Sequence, residues 1–248
     1  MPDFKLLGPT EVLDGDGHSR TPGGPKLRQV LALLALNAGK VVSVDVLVTE
    51  LWGEVTRKSE IKTLQTHIYH LRRALGGGLV DTRAPGYTLR ADPGRVDALI
   101  FPRLVDRAAE HRQAGDHRAA ELVLRDALAM WTGPALADVR LGPVLAPYAT
   151  ALHERRLRAQ EMHMDARISL GLHGEVIEEL RMLVAAHPLN ENFHAQLITA
   201  LSGNGRRTDA RRAYEGLRAL LHTELGVAPS FAISDLHARS NKGKEIRR

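Results

Sequence analysis

No cysteine occurs in the chain, which excludes disulfides, thiol nucleophiles and thiolate metal sites and is compatible with a reducing compartment. Aromatic residues are only 4% of the total, so the core must be built from Leu, Ala and Val, as in helix-rich proteins. No apolar stretch approaches the roughly 18 residues of a membrane span, and the start MPDFKLLGPTEV does not lead from positive charge into an apolar run. The expectation is a cytoplasmic, nucleoid-associated protein with no membrane partner. Also missing is a Gly-x-x-x-x-Gly-Lys-Ser/Thr phosphate loop, because the glycines at 76–78 follow a helical segment rather than opening one. No nucleophile, base and orienting group can be assembled from motifs, so neither an enzyme nor a cofactor is expected. His67 and His70 have a metal-compatible spacing, but without a carboxylate nearby they read as DNA-facing or exposed side chains. His163 with Asp165, and His222 with Glu224, read as isolated pairs inside helices.

What is present fits two modest domains, each able to bury its own core. A hydrophobic content of 44% with 25% charged residues marks a folded chain rather than a disordered one. The net charge of +5 permits a polyanionic partner without requiring one.

The expected fold class is mainly α with a small β component. Residues 1–95 open with the short alternating runs FKLLG and TEVLDGDG, which predict a minor sheet. KLRQVLALLALNAGK then predicts a mostly buried helix stopped by Asn37-Ala38-Gly39. SVDVLVTELWG predicts a second, capped by Ser43, aided by Asp45, closed by Gly53, and joining the core through Val46, Leu47, Val48, Leu51 and Trp52. A third helix is expected from Ser59 as its cap to the glycines at 76–78. LVDTRAPGYTLRAD reads as a hairpin turning at Ala84-Pro85-Gly86, with Arg83 at or near the tip. Three helices followed by a basic hairpin is the plan of a winged helix-turn-helix.

The third helix is two-faced. At about 100° per residue, Leu64, Ile68, Leu71 and Leu75 fall in one narrow arc. The far side collects Lys62, Thr66, Tyr69 and Arg73, flanked by Thr63 and His70, and carries no carboxylate. Cations, hydroxyls and flat rings suit phosphates and base edges. The expected roles are phosphate contact for Lys62 and Thr63, base edges for Gln65, Thr66, Tyr69 and His70, either role for Arg72 and Arg73, and flanking backbone or minor groove for Arg83. The rival is a solvated basic face, or a winged helix that binds protein beside a helical-repeat scaffold. That rival calls for an acidic or apolar face, against which Lys62, Arg72 and Arg73 argue.

FKLLGPTEV, GGPKLRQVLALLALNAGKVVSVDVLVTELWG, LQTHIYHLRRALG and PGYTLR, in that order, resemble the DNA-binding domain of the Streptomyces antibiotic regulatory proteins, whose winged helix is similar to that of response regulators related to OmpR. Tyr69 and His70 stand where arginine is common in such proteins, which implies a different base preference.

After the turn Asp92-Pro93-Gly94, residues 96–240 read as helices near 97–114, 116–131, 143–171, 174–187, 190–203, 206–224 and 229–239. Aligning Gly174 with Gly205 gives a step of 31, near the tetratricopeptide period of 34, and Gly115 occupies an equivalent turn. A stack of helical hairpins and a plain bundle both satisfy this pattern. MWTGPALADV, LHERRLRAQEMHMDARISLGLHG, LVAAHPLNENFHAQLITALSGNGRRTDARRAYEGLRALLHTELGVAPS and LHARS are similar to the bacterial transcriptional activation domain of the same family. The resemblance implies a pathway-specific activator of secondary-metabolite genes. It would bind double-stranded DNA at direct-repeat operators, as a dimer, and recruit RNA polymerase holoenzyme through its sigma factor, alpha or beta subunits. Residues 241–248 read as a solvated, disordered tail.

Overall fold

The computed structural model describes residues 2–53, 58–230 and 233. The predicted 229–239 helix and the 241–248 tail therefore lie almost wholly outside the described residues.

The chain begins with an antiparallel ribbon, β1 (Asp3–Lys5) and β2 (Glu11–Leu13), in which buried Phe4 faces buried Val12. Pro25 starts α1 (Pro25–Leu36), where its fixed φ suits the first helical turn. Every residue from Gln29 to Leu36 is buried, so this helix is a central post rather than a one-sided one. The two-residue strand β3 (Val42–Ser43) runs into α2 (Val44–Trp52), whose N-terminus is capped as expected: the Val46 amide donates to Ser43 Oγ at 3.3 Å, and Gly53 ends the helix. Val46 itself is 37% exposed, so it does not join the core as its apolar character suggests.

The described part of α3 runs Lys58–Leu75 and buries Leu64, Ile68, Leu71 and Leu75 as the stripe requires. Ser59 is not the cap but already helical, its carbonyl accepting from Thr63 Oγ1 at 2.9 Å. Strands β4 (Val80–Arg83) and β5 (Gly86–Leu89) form the hairpin, and β3 adds to the far edge of β5, giving the order β3-β5-β4. Gly86 is required there, since a Cβ at this position would collide with the Val42 carbonyl.

A single 3-10 turn, Pro93–Arg95, leads into α4 (Asp97–Gln113), α5 (His117–Leu128), α6 (Leu145–Ser169), α7 (His173–Ala186), α8 (Glu191–Gly203) and α9 (Arg207–Leu225). Three helix-to-helix turns are superimposable in pattern. At Gly115, Gly171 and Gly205 φ is +76°, +78° and +77°. In each turn the residue after the glycine donates five residues back: Asp116 to His111, Leu172 to Arg167, Arg206 to Leu201. That is the left-handed glycine closure of a helix C-terminus. Gly171, not Gly174, is thus the partner of Gly205, and the step becomes 34 (205 minus 171), the tetratricopeptide length. Gly174 lies in the first turn of α7 beside Asn204.

Compactness divides the chain into two units. The first holds Met1–Arg107 with Arg125–Arg158, and the second Ala108–Leu124 with Ala159–Arg248. In the first, carboxylates tie the winged helix to the start of α4 and to the segment before α6. Asp97 accepts from the amides of Leu6 (2.7 Å), Leu7 (3.1 Å) and Ala98 (2.6 Å). Burial pushes its pKa above the usual carboxylate value, and those amides oppose the shift. Glu50 on α2 accepts from Gln29 Nε2 (2.8 Å) and from the amides of Gly142 (2.7 Å), Val144 (2.8 Å) and Leu145 (2.9 Å), so it caps α6. Asp138 accepts from the Thr10 amide and pairs with Arg28 at 3.0 Å. The Trp131 ring meets Phe101 edge-on at 5.2 Å and carries the Arg156 guanidinium 4.7 Å above it.

In the second unit α7 packs on α8 and α8 on α9. Asn190 caps α8, accepting from the Asn192 and Phe193 amides. Gln196 joins α8 to α6 through the Glu161 carbonyl (2.8 Å) and Asp165 (2.6 Å), and burial raises the Asp165 pKa.

Candidate nucleic-acid interface

The buried stripe of α3 fixes which residues face outward. Lys62, Thr63, Gln65, Thr66, His70 and Arg73 are all exposed, and Tyr69 is 60% exposed, a large ring left in solvent. Thr63 and Thr66 donate their hydroxyls back to the carbonyls of Ser59 (2.9 Å) and Lys62 (3.2 Å). Each hydroxyl oxygen keeps its lone pairs pointing out as an acceptor. The Tyr69 and His70 rings meet edge to face at 5.4 Å. Among the described residues Lys62, Arg73 and Arg83 form no ion pair, so three cations stand unneutralised around this face and the hairpin end. Arg83 is the last residue of β4, next to the Ala84-Pro85 turn.

Two predicted residues differ from the others. His67 is half-buried and stacks on Trp52, with centroids 6.2 Å apart and planes at 16°. Burial holds its pKa down, and the nearby charges of Lys26 and His70 press the same way. It is therefore a neutral ring supporting α3 from behind and does not share a face with His70. Arg72 is also half-buried, and its guanidinium is engaged with β4, as described below.

Sequence reading missed the support under the face. Lys26 Nζ sits 4.3 Å above the Trp52 ring and donates to the Leu51 carbonyl at 3.2 Å, completing a Lys26–Trp52–His67 stack across α1, α2 and α3. Burial, then the Arg140 charge, lowers the Lys26 pKa. No periodicity links these three positions, so only the tertiary fold brings them together. Asp14, Asp16 and His18 carry the one cluster with metal-compatible spacing among the described residues. Asp14 there accepts from the Asp16 and His18 amides and from Arg20, which accounts for the arrangement as a turn.

A basic recognition-type helix backed by two core helices and followed by a three-stranded wing defines a winged helix-turn-helix DNA-binding protein, here continued by tetratricopeptide-like helices. Comparison with known proteins agrees. Residues 18–89 match the family described as "Transcriptional regulatory protein, C terminal", and residues 96–239 match "Bacterial transcriptional activator domain". Regulatory protein DnrI of Streptomyces peucetius is 39% identical, over 94% of this chain and 89% of its own length. Regulatory protein AfsR of Streptomyces griseus is 33% identical over 98% of this chain, which spans only 25% of that longer protein. The solved structure of Mycobacterium tuberculosis EmbR, in complex with a low affinity phosphopeptide, is 33% identical with a TM-score of 0.90, covering 98% of this chain and 65% of that one. The chain belongs to the Streptomyces antibiotic regulatory protein family, and it is a DNA-binding transcriptional activator.

Proposed function

We propose that this activator inserts α3 into the major groove and lays the β4–β5 hairpin along the flanking backbone or minor groove, residues 1–95 forming the DNA-binding domain and 96–240 the activation domain. Lys62 and Thr63 contact phosphate. Gln65, Thr66, Tyr69 and His70 meet base edges, and Arg73 and Arg83 add cationic contacts. The observation that carries this reading is the exposed face itself, which has cations, hydroxyl acceptors and a solvent-exposed ring but no acid between Ile61 and Leu75. A protein-binding wing on a scaffold lacks such support, and both family matches speak for DNA.

The finer expectations follow from family membership. The protein binds direct repeats upstream of secondary-metabolite promoters, head to tail as a dimer on one face of the duplex, and recruits RNA polymerase holoenzyme through sigma, alpha or beta subunits. It works in the cytoplasm at the nucleoid and has no catalytic activity. Among the described residues no helix is long and apolar enough to cross a membrane.

The test is selection of binding sites from a pool of random duplexes by the purified chain at two salt concentrations, with sequencing of the survivors. A short motif repeated in one orientation at helical-turn spacing is the expected result. Weak binding without enrichment, lost as salt rises, would overturn the reading.

A further inference from the structure

We propose that Arg72 is a positioning residue, a clamp that fixes the hairpin against α3 and so sets where Arg83 meets the DNA. The proposal rests on the reading of α3 and the hairpin as the DNA-contacting elements.

Arg72 stands about 70° from the centre of the buried stripe, whereas its neighbour Arg73 stands about opposite it. The flank position turns Arg72 toward β4. Its Nε donates to the Val80 carbonyl at 2.8 Å, and its Nη2 donates to Thr82 Oγ1 at 2.8 Å. These two donors lie on one edge of a planar, rigid group, so together they fix both the separation and the twist of the strand relative to the helix. A single-point contact such as a lysine ammonium fixes only the separation.

The clamp sits where the hairpin needs it. β4 is the edge strand of the β3-β5-β4 sheet, held by β5 on one side alone, and an edge carbonyl is open to a side-chain donor. Val80 is buried and paired with Leu89, which anchors the root. Thr82 is exposed, pairs with Tyr87, and immediately precedes Arg83. Arg72 therefore grips the strand from its buried root to the residue beside the unpaired cation. The third strand supports β5 and not β4, whose exposed end at Arg83 is paired to Gly86 alone, so without this grip Arg83 would sample more positions and pay an ordering cost on binding.

The test is a double-mutant cycle measured by fluorescence anisotropy on the duplex recovered in the selection above, titrated across several salt concentrations. Arg72→Ala and Thr82→Val are each expected to weaken binding about tenfold, the scale of one charge-assisted hydrogen bond. Arg83→Ala should weaken binding in the wild-type background and add nothing in either mutant background. Thr82→Ser, which keeps the acceptor oxygen, should bind like the wild type. Valine is favourable in a strand, so thermal unfolding of Thr82→Val should match the wild type.

Wild-type affinity for Thr82→Val beside a weak Arg72→Ala, with the Arg83 effect fully additive, would make Arg72 a direct phosphate ligand and overturn the clamp. An Arg83→Ala protein that binds normally would also overturn it, since Arg72 would then have nothing to position, while DNA binding by α3 would stand. Failure of the wild-type chain to bind any selected duplex would instead remove the underlying reading.

Discussion

Glu50 brings a carboxylate into a position only 3% exposed, and four donors hold it there. Removing a partner from a buried charged network strands the rest, typically at several kcal/mol. Glu50→Ala would leave three amides at the start of α6 without their carboxylate acceptor, while Gln29 would keep the carbonyl of residue 50. The expected outcome is a loss of about 3 kcal/mol in urea unfolding, and a variant as stable as the wild type would show that the network is incidental. Exposed residues on α3 behave differently, because the partner proposed for them is the DNA. Lys62→Ala or Arg73→Ala should weaken binding on every sequence and lower the slope of log K against log salt by about 0.9 each. Thr66→Ala should relax discrimination at one base position and leave the slope alone. Titrations in which Thr66 mattered uniformly and Arg73 only for specificity would invert this assignment of roles.

Elements depend on their ends, and glycine has opposite value at an end and in a middle. Gly205 closes α8 at φ +77°, a conformation any side chain disfavours by about 1 kcal/mol, so Gly205→Ala should lower the thermal midpoint. Gly216 lies exposed inside α9 with open space where a Cβ would stand, and Gly216→Ala should raise stability by about 0.5–1 kcal/mol. A midpoint that moved the same way in both variants would mean that backbone conformation is not the controlling factor. The same local rules explain what could be read in advance. The leucine stripe of α3, the Ser43 cap and the Pro/Gly-marked helix ends are encoded within a few residues of where they act, so they were legible. β3 was not, since two residues carry no period and exist as a strand only because Gly86 lets β5 approach. The repeat was misaligned by three residues because two glycines, Gly171 and Gly174, compete in the sequence, and only φ distinguishes the helix closer from the packing glycine. Outward residues of the candidate interface were legible from the stripe. The half-buried pair was not, since the engagement of Arg72 with Thr82 and of His67 with Trp52 depends on tertiary neighbours.

Across the whole molecule, buried histidines couple folding to pH. Burial holds His67, His163 and His194 below the ordinary imidazole pKa. His163 is the clearest case, 8% exposed with neither ring nitrogen hydrogen-bonded and with Glu121 at 3.6 Å as its acidic neighbour. Between the unfolded value of about 6.5 and the lower folded values, the unfolded chain binds protons that the folded chain refuses. Stability therefore falls as pH falls through that window, by about 1.4 kcal/mol per pH unit for each proton taken up. Asp165, raised by burial, works oppositely, because its folded form takes up a proton above the unfolded carboxylate value of about 3.9 and acidification there favours the fold. Three histidines against Asp165 and Asp97, both raised by burial from an ordinary value well below this interval, give a net destabilisation from pH 7.5 to 5.5, read as a falling midpoint in thermal circular dichroism. His163→Leu replaces a buried ring, which has only the 3.6 Å approach of Glu121, by an apolar side chain, removes one of the three, and should make the midpoint fall less steeply. If the variant lost as many degrees over the same interval as the wild type, His163 would not be among the groups that link this fold to pH.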